Sequence, residues 1–246
     1  VWQAKAASIV AAYAANMRSG SEGMTYALGR GLLPDTVKAL HIGWNPSDQW
    51  EKRESWGFPP ERNAKVPAKQ VWLPAGLVLP TRRKVGFTAL KIRRSAWSPE
   101  DVRPKYVAVS GSSPGLALGA GINLPVVIVE SEIEAMLIWQ EARDLVNAMA
   151  LGTASGKPGV DMDARLRSAP RILVALDFDD AGKTASSWWV QRYPQARRWP
   201  AVAGKDVGDM AKTPGLVRSW VEAALLDTPC AHESRSFQRI SENGEG

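Results

Sequence analysis

The chain has 246 residues, 45% of them hydrophobic and 23% charged, with 31 Lys and Arg against 25 Asp and Glu. That is the composition of an ordinary globular protein with room for two modest domains or one large one. No run of 18 or more apolar residues and no signal-peptide pattern occurs, so neither a membrane span nor export is expected, and the chain reads as cytoplasmic. A single cysteine, Cys230, excludes an internal disulfide framework, and with only His41 and His232 beside it no zinc ribbon can be built within the chain. Any divalent metal must therefore sit on oxygen ligands, which points to Mg2+ or Mn2+. The first residue is Val1, which reads as the start of a piece of something longer.

The charge is unevenly spread. Residues 1–121 carry 17 basic and 8 acidic side chains, while residues 122–246 carry 14 and 17. Most of the excess lies between Lys52 and Lys105. A basic first half joined to an acidic second half suggests a polyanion grip beside a metal site, although a well-solvated surface would give the same counts.

In chain order, WQAKAASIVAAYAANM has apolar residues at helical spacing and stops at Ser19-Gly20. A second helix, MTYALGRG, ends on Gly31, and a third, PDTVKALHIG, starts on Pro34 and closes at Gly43. Residues 45–70 show no clear period and read as irregular. From 71 to 110 the texture is that of strands, with VWLPAGLVLPTRRKVGFTALKIRRSAW forming two strands around a turn at Arg82-Arg83-Lys84, and PKYVAVSG a further one. A Gly-rich hinge over 111–121 marks the expected domain boundary.

A regular alternation follows. LPVVIVE, LVNAMALG, RILVALDFD and ARRWPAV read as strands, and SEIEAMLIWQEARD, DMDARLRS and AGKTASSWWVQRY as the helices between them. A last helix through GDMAKTPGLVRSWVEAALL carries a break signal at Pro214-Gly215. This order predicts an α/β fold: a mostly parallel sheet flanked by helices, preceded by a mixed α+β segment. The expected domains are 1–121 and 122–228, with 229–246 a polar tail expected to be disordered.

In such sheets functional groups collect at the carboxyl ends of the strands. Glu130 ends one strand, Asp177 and Asp179 end another with Asp180 beside them, and Asp206 and Asp209 follow the fourth. Residues two apart on a strand face the same way, so Asp177 and Asp179 can share one ion or hold two. Carboxylates converging without a cation would repel or take up protons, and a divalent metal removes that conflict. Ser131 and Glu134 also fit a helix capping box, and Asp180 and Asp209 fit helix-start positions. The Gly182-Lys183-Thr184 that follows looks like a P-loop, but Asp177 stands where that loop needs glycine, so the segment is expected to hold metal and not bare phosphate. Among the 11 Trp, those at 44, 50, 56 and 97 lie among basic residues and suit base stacking, while Trp188 and Trp189 suit a core face.

These residues resemble a known family. VVIVESEIEAM, AMALGTASG, LDFDDAG and GKDVGDM are similar to successive motifs of the TOPRIM domain, and TYALGRGLLPDTVKALHIGWNP, LVLPTRRKVGFTALKIRR and PKYVAVSGS to the segments ahead of it in bacterial-type (DnaG-like) primases. The resemblance covers about residues 20–226 and implies a TOPRIM-type fold and an enzyme that synthesises short RNA primers. It implies that Glu130, Asp177 and Asp179 are catalytic metal-binding carboxylates completed by Asp206 and Asp209. Arg30, Lys105 and one of Lys91, Arg93 or Arg94 match basic residues of the cleft, with Arg82, Arg83 and Lys84 joining them as nucleic-acid contacts. Implied partners are single-stranded DNA, ribonucleoside triphosphates and a replicative helicase. Ser131 and Glu134 depart from the family Gly and Asp. A TOPRIM nuclease needs the same carboxylates, and a catalytically decayed single-stranded-DNA-binding module is the reading from another class.

Overall fold

The computed structural model describes residues 1–60, 70–113, 115–119, 121, 123–152, 156–176 and 180–227, with backbone alone at 161 and 180–184. The first helix, α1 (Trp2–Ala14), buries Ala6, Ile9, Val10 and Tyr13, one stripe at the 3.6-residue period. Ser21 caps α2 (Glu22–Leu28) by accepting the Met24 N–H, and Pro34 opens α3 (Pro34–Ala39) where a missing N–H costs nothing. The third helix stops short of the expected Gly43. His41 takes a left-handed conformation (φ 54°), which lets Ile42 return its N–H to the Val37 carbonyl. Gly43 instead begins β1 (Gly43–Asn45), lying so close to α1 that a Cβ there would stand 2.7 Å from the Tyr13 Cβ.

The stretch expected to be irregular contains β2 (Gln49–Lys52), paired with β3 (Gln70–Leu73), and a short 3-10 turn over Arg53–Trp56. β2 alternates half-buried with exposed residues, and its Trp and charged side chains conceal the period, while β3 buries Val71 and Leu73. β4 (Gly76–Arg83) and β5 (Gly86–Arg94) form a long hairpin whose strands run through Arg83, so the turn is Lys84-Val85. With β1 and β6 (Tyr106–Ala108) they make a four-stranded antiparallel sheet, ordered β1-β4-β5-β6.

The second sheet is ordered β11-β10-β8-β9-β7. Its strands β8 (Val126–Val129), β9 (Asn147–Ala150), β10 (Ile172–Val174) and β11 (Ala196–Arg198) are parallel. The Gly-rich segment expected to be a hinge supplies its edge: β7 (Leu116–Leu118) pairs antiparallel with β9. Left-handed Gly115 and Gly119 bracket this strand, and they supplied the hinge signal in the sequence.

Side-chain alternation sorts the sheet's two faces. Val127, Val129, Ala148, Leu173 and Ala175 enter one core with α4 (Glu132–Ala142), α7 (Val207–Met210) and α8 (Leu216–Leu226). Val126, Ile128, Met149, Ile172 and Val174 enter another with α5 (Val160–Ser168) and α6 (Asp180–Arg192). The first of these cores does not stop at the expected boundary, because Met24, Leu32, Val37, Trp44, Leu77 and Leu79 belong to it too. α7 and α8 are separated at Gly215 (φ 76°), as the Pro-Gly signal predicts. Among the described residues no helix is long and apolar enough to cross a membrane.

Candidate active site cleft

A cleft of about 650 Å³ opens where the carboxyl end of β8 meets the first half of the chain. Glu130 follows the buried Val126–Val129 run and lines it; its carbonyl accepts the Gly152 N–H at 2.8 Å, which extends the β8–β9 ladder by one step. Ser131 then starts α4 by accepting the Glu134 N–H, and the Ser131 hydroxyl donates to Glu134 Oε1 at 2.5 Å. The capping arrangement thus forms through the Ser131 hydroxyl, and it keeps the Glu134 carboxylate in the cleft wall.

A second wall comes from the α2–α3 turn. Gly31 (φ 82°) lets Leu32 donate back to the Ala27 carbonyl and Gly31 to that of Leu28, a closing pattern only an unhindered left-handed residue permits cheaply. Gln140 of α4 grips this turn on both sides, donating to the Gly31 carbonyl at 3.0 Å and accepting the Leu33 N–H at 2.8 Å. Arg30 is thereby held at the cleft edge against the helix that Glu130 leads into.

The third wall is β5–β6. Arg93 is only 5% exposed, its guanidinium 5.4 Å from the Tyr26 ring and 5.9 Å from that of Tyr106. Lys105 Nζ lies 5.4 Å from the Trp97 ring and 6.0 Å from that of Tyr106. Partial burial, then the charges of Arg93, Arg30 and Lys205, hold the Lys105 ammonium below the usual lysine range. Charging a lysine here is opposed by its surroundings, so an anion entering the cleft should raise its pKa back toward the ordinary value. The expected result is proton uptake on triphosphate binding in the alkaline range below that value. Calorimetry in buffers of different ionisation enthalpy would show it, and proton-neutral binding would count against contact between Lys105 and the anion.

The fourth wall is the loop after β11. Asp206 caps α7, its Oδ1 accepting the Asp209 N–H at 2.8 Å. Asp209 accepts the Lys205 N–H on Oδ2 at 3.1 Å and pairs through Oδ1 with Lys212 Nζ at 2.7 Å, which holds its carboxyl below the usual range. Both Asp209 oxygens thus shape the loop, while Asp206 commits one to the cap. Asp177 and Asp179 lie outside the described residues. The chain after β10 is described as far as Leu176, which stands two residues past the Val174–Ile128 pair, as Glu130 does. Among the described residues no three potential metal ligands are grouped. Glu130, Glu134 and Asp206 line the cleft with carboxylate oxygens, the atom type that a hard divalent cation takes, but they do not by themselves converge on one point.

Of the expected site residues, the fold brings Arg30, Arg93, Lys105, Glu130, Asp206 and Asp209 to one cleft. Lys91 is elsewhere engaged: its ammonium is 2.9 Å from Glu132 Oε1 and donates to the Gly152 carbonyl at 3.3 Å. Arg94, on the opposite face of β5 from Arg93, donates to the Arg103 carbonyl and lies 5.8 Å from the Trp72 ring. Arg82, Arg83 and Lys84 are exposed at the far end of the β4–β5 hairpin, away from the cleft. Among the tryptophans, Trp44 and Trp56 are core residues and closed to bases, whereas Trp50 is exposed and Trp97 half-buried under Lys105. Trp189 is buried as expected, but Trp188 is only half-buried. Tyr26, Tyr106 and Gln140 escaped sequence reasoning; Tyr106 directly follows the expected Lys105, while nothing in the sequence marks Gln140.

No family model matches the chain, and no curated protein matches it. Solved structures do. The RNA polymerase domain of Mycobacterium tuberculosis primase DnaG is 17% identical, with a TM-score of 0.63 over 90% of this chain and 82% of that one. The Aquifex aeolicus primase, comprising its zinc-binding and RNA polymerase domains, is 19% identical with a TM-score of 0.63 over 89% of this chain and 60% of its own. A DnaG primase catalytic domain bound to single-stranded DNA is 15% identical, with a TM-score of 0.63 over 90% and 80% of the two chains. At such identities the likeness establishes the fold. The chain has the architecture of the bacterial DnaG catalytic core, as its motifs suggested.

Proposed function

We propose that this chain is a primase catalytic core, joining ribonucleoside triphosphates into a short RNA primer on single-stranded DNA. The observation that carries this reading is the cleft itself, in which strand-end Glu130 and the Asp206 loop face Arg30, Arg93 and Lys105 across a space large enough for a triphosphate. In the reaction a 3′ hydroxyl oxygen bonds to the α-phosphorus, the bond to pyrophosphate breaks, and the hydroxyl proton leaves. The work asked of the protein is positioning and charge neutralisation.

Glu130 and Asp206, with Asp177 and Asp179, would hold Mg2+ or Mn2+, which supplies charge neutralisation at the phosphates and a more acidic hydroxyl. Arg30 and Lys105 grip the triphosphate oxygens from the basic wall. Arg93, its guanidinium 5.4 Å from the Tyr26 ring and 5.9 Å from that of Tyr106, presents a fixed positive charge to the same anion. Asp209 keeps the Asp206 loop in shape. The template follows the Trp72 side of β5, opposite the cleft, where Arg103 lies 4.5 Å from the Trp72 ring. The halves 1–121 and 122–228 have separate roles, the first gripping polyanion and the second, as a TOPRIM domain, supplying carboxylates. The likeness to replication enzymes also makes a cytoplasmic setting and a helicase partner part of this reading.

The test is incubation with single-stranded DNA, labelled ribonucleotides and Mg2+ or Mn2+, beside an Asp177→Asn, Asp179→Asn double variant. Short labelled products from the unaltered chain alone are expected. Metal-dependent cutting of the DNA would replace this reading with a nuclease. Binding with neither synthesis nor extension of a primed template would replace it with a binding module.

A further inference from the structure

Away from the cleft, depressions of about 400 and 290 Å³ lie beside β7, and a third of about 330 Å³ lies between Lys157 and the helices α5 and α6. They adjoin one another as a groove would: Lys157 and Val160 line both the second and third, while the adjacent hairpin residues Arg83 and Lys84 line the second and first. The hairpin end that the cleft does not use therefore hangs over the edge of the other sheet. Arg165 adds a cation to the first depression and Arg192 to the third. The one acid among the described lining residues is Asp163, and its charge is already met by Arg167 at 2.8 Å, Arg192 at 3.5 Å and the Tyr193 hydroxyl at 2.6 Å. Cations thus outnumber acids along the whole length of the groove among the described residues.

An aromatic platform lies within it. Trp188 is half-buried, with its ring edge-on to the buried Trp189 at 5.0 Å and the Lys157 ammonium 3.8 Å from its centroid. The Lys157 ammonium covers the ring face, and a single-stranded polynucleotide suits such a pair: its phosphates draw the ammonium off the indole and a base takes its place on the π face.

We infer that this groove is a second track for single-stranded nucleic acid, running over β7 from the hairpin end to Trp188 and separate from the cleft. The choice of ligand rests on the reading of the chain as a polynucleotide enzyme; the groove itself takes no part in the chemistry.

The test uses a Lys84→Gln, Lys157→Gln, Arg165→Gln variant, three exposed positions whose change should leave folding intact. Long single-stranded DNA and RNA carrying 5-iodouracil serve as probes. The triple variant should bind at least about tenfold more weakly, and its log–log salt slope should shrink by about 2, since each neutralised phosphate contributes about 0.7. Ultraviolet crosslinks should map to Trp188 in the unaltered chain. Tighter binding of DNA would mark a template track, and of RNA a path for the product. Crosslinks confined to cleft residues, with affinity and slope unchanged, would overturn the inference. Primer synthesis is read in parallel: a crosslink at Trp188 from a chain that makes no primer sinks the catalytic reading and leaves this one, and synthesis without the crosslink does the reverse.

Discussion

Glu130→Gln should lower nucleotide incorporation by about three orders of magnitude while leaving the fold and single-stranded DNA affinity unchanged. Glutamine keeps the shape at the end of β8 and keeps the backbone bond to Gly152, since that bond uses the carbonyl. What it removes is one negative charge from the metal site proposed above. Losing several kcal/mol of transition-state charge stabilisation corresponds to about 10³-fold, at ~1.4 kcal/mol per factor of ten. Raising Mn2+ should recover part of the loss, because the defect lies in metal affinity. An unaltered rate would remove Glu130 from the mechanism; a rate lost together with DNA binding would show that the substitution had damaged the fold.

The second large effect concerns stability. Glu132 is 5% exposed, with Oε1 on the Lys91 ammonium and Oε2 without a hydrogen-bond partner among the described residues. This ion pair joins β5 to the first turn of α4, and Lys91 also holds the Gly152 carbonyl, where an added Cβ would stand 3.1 Å from its Nζ. Glu132→Ala leaves that partly enclosed ammonium without its counter-charge, at a cost on the order of 3 kcal/mol. In a chain of this size the melting temperature should fall by about 6–12 °C. The Lys91→Met, Glu132→Leu double variant should regain most of the loss, because removing both charges removes the desolvation penalty. Equal melting temperatures for the single and double variants would show that the pair is not coupled. DNA affinity should be the same in the double variant and the unaltered chain, since the Lys91 ammonium is taken up by Glu132 and the Gly152 carbonyl.

The sequence carried most of the second half. Its strands are short buried runs bounded by turn residues, and a parallel sheet places strand-end residues together whatever the side chains, so Glu130 and Asp206 could be placed from order alone. Lys91 shows what order cannot do. It sits in a basic stretch with Arg93 and Arg94, and on charge the three are equivalent. The pleat sends Arg93 into the cleft and Arg94 to the Trp72 face, and the position of Glu132 in another element decides the partner of Lys91. Gln140 was invisible for the same reason, since its value lies in a turn 107 residues away. The β7 edge was hidden differently. Gly115 and Gly119 adopt left-handed conformations that a linker would also favour, and three residues between them are too few to show a period.

The core that runs from Met24 and Leu79 through the second sheet to Trp220 means that the cleft walls are not independent bodies. Arg30 and Glu130 belong to surfaces packed on the same helix, and Gln140 stitches one to the other. Opening the cleft by swinging the two halves apart would expose Leu77, Leu79, Leu137 and Ile138 to water, at roughly 1.5–3 kcal/mol for each side chain uncovered. The cleft therefore keeps a mouth of fixed width. For the primase proposed above, selection between nucleotides would come from how each pairs with the template within that width, with no large closing motion before each bond is made.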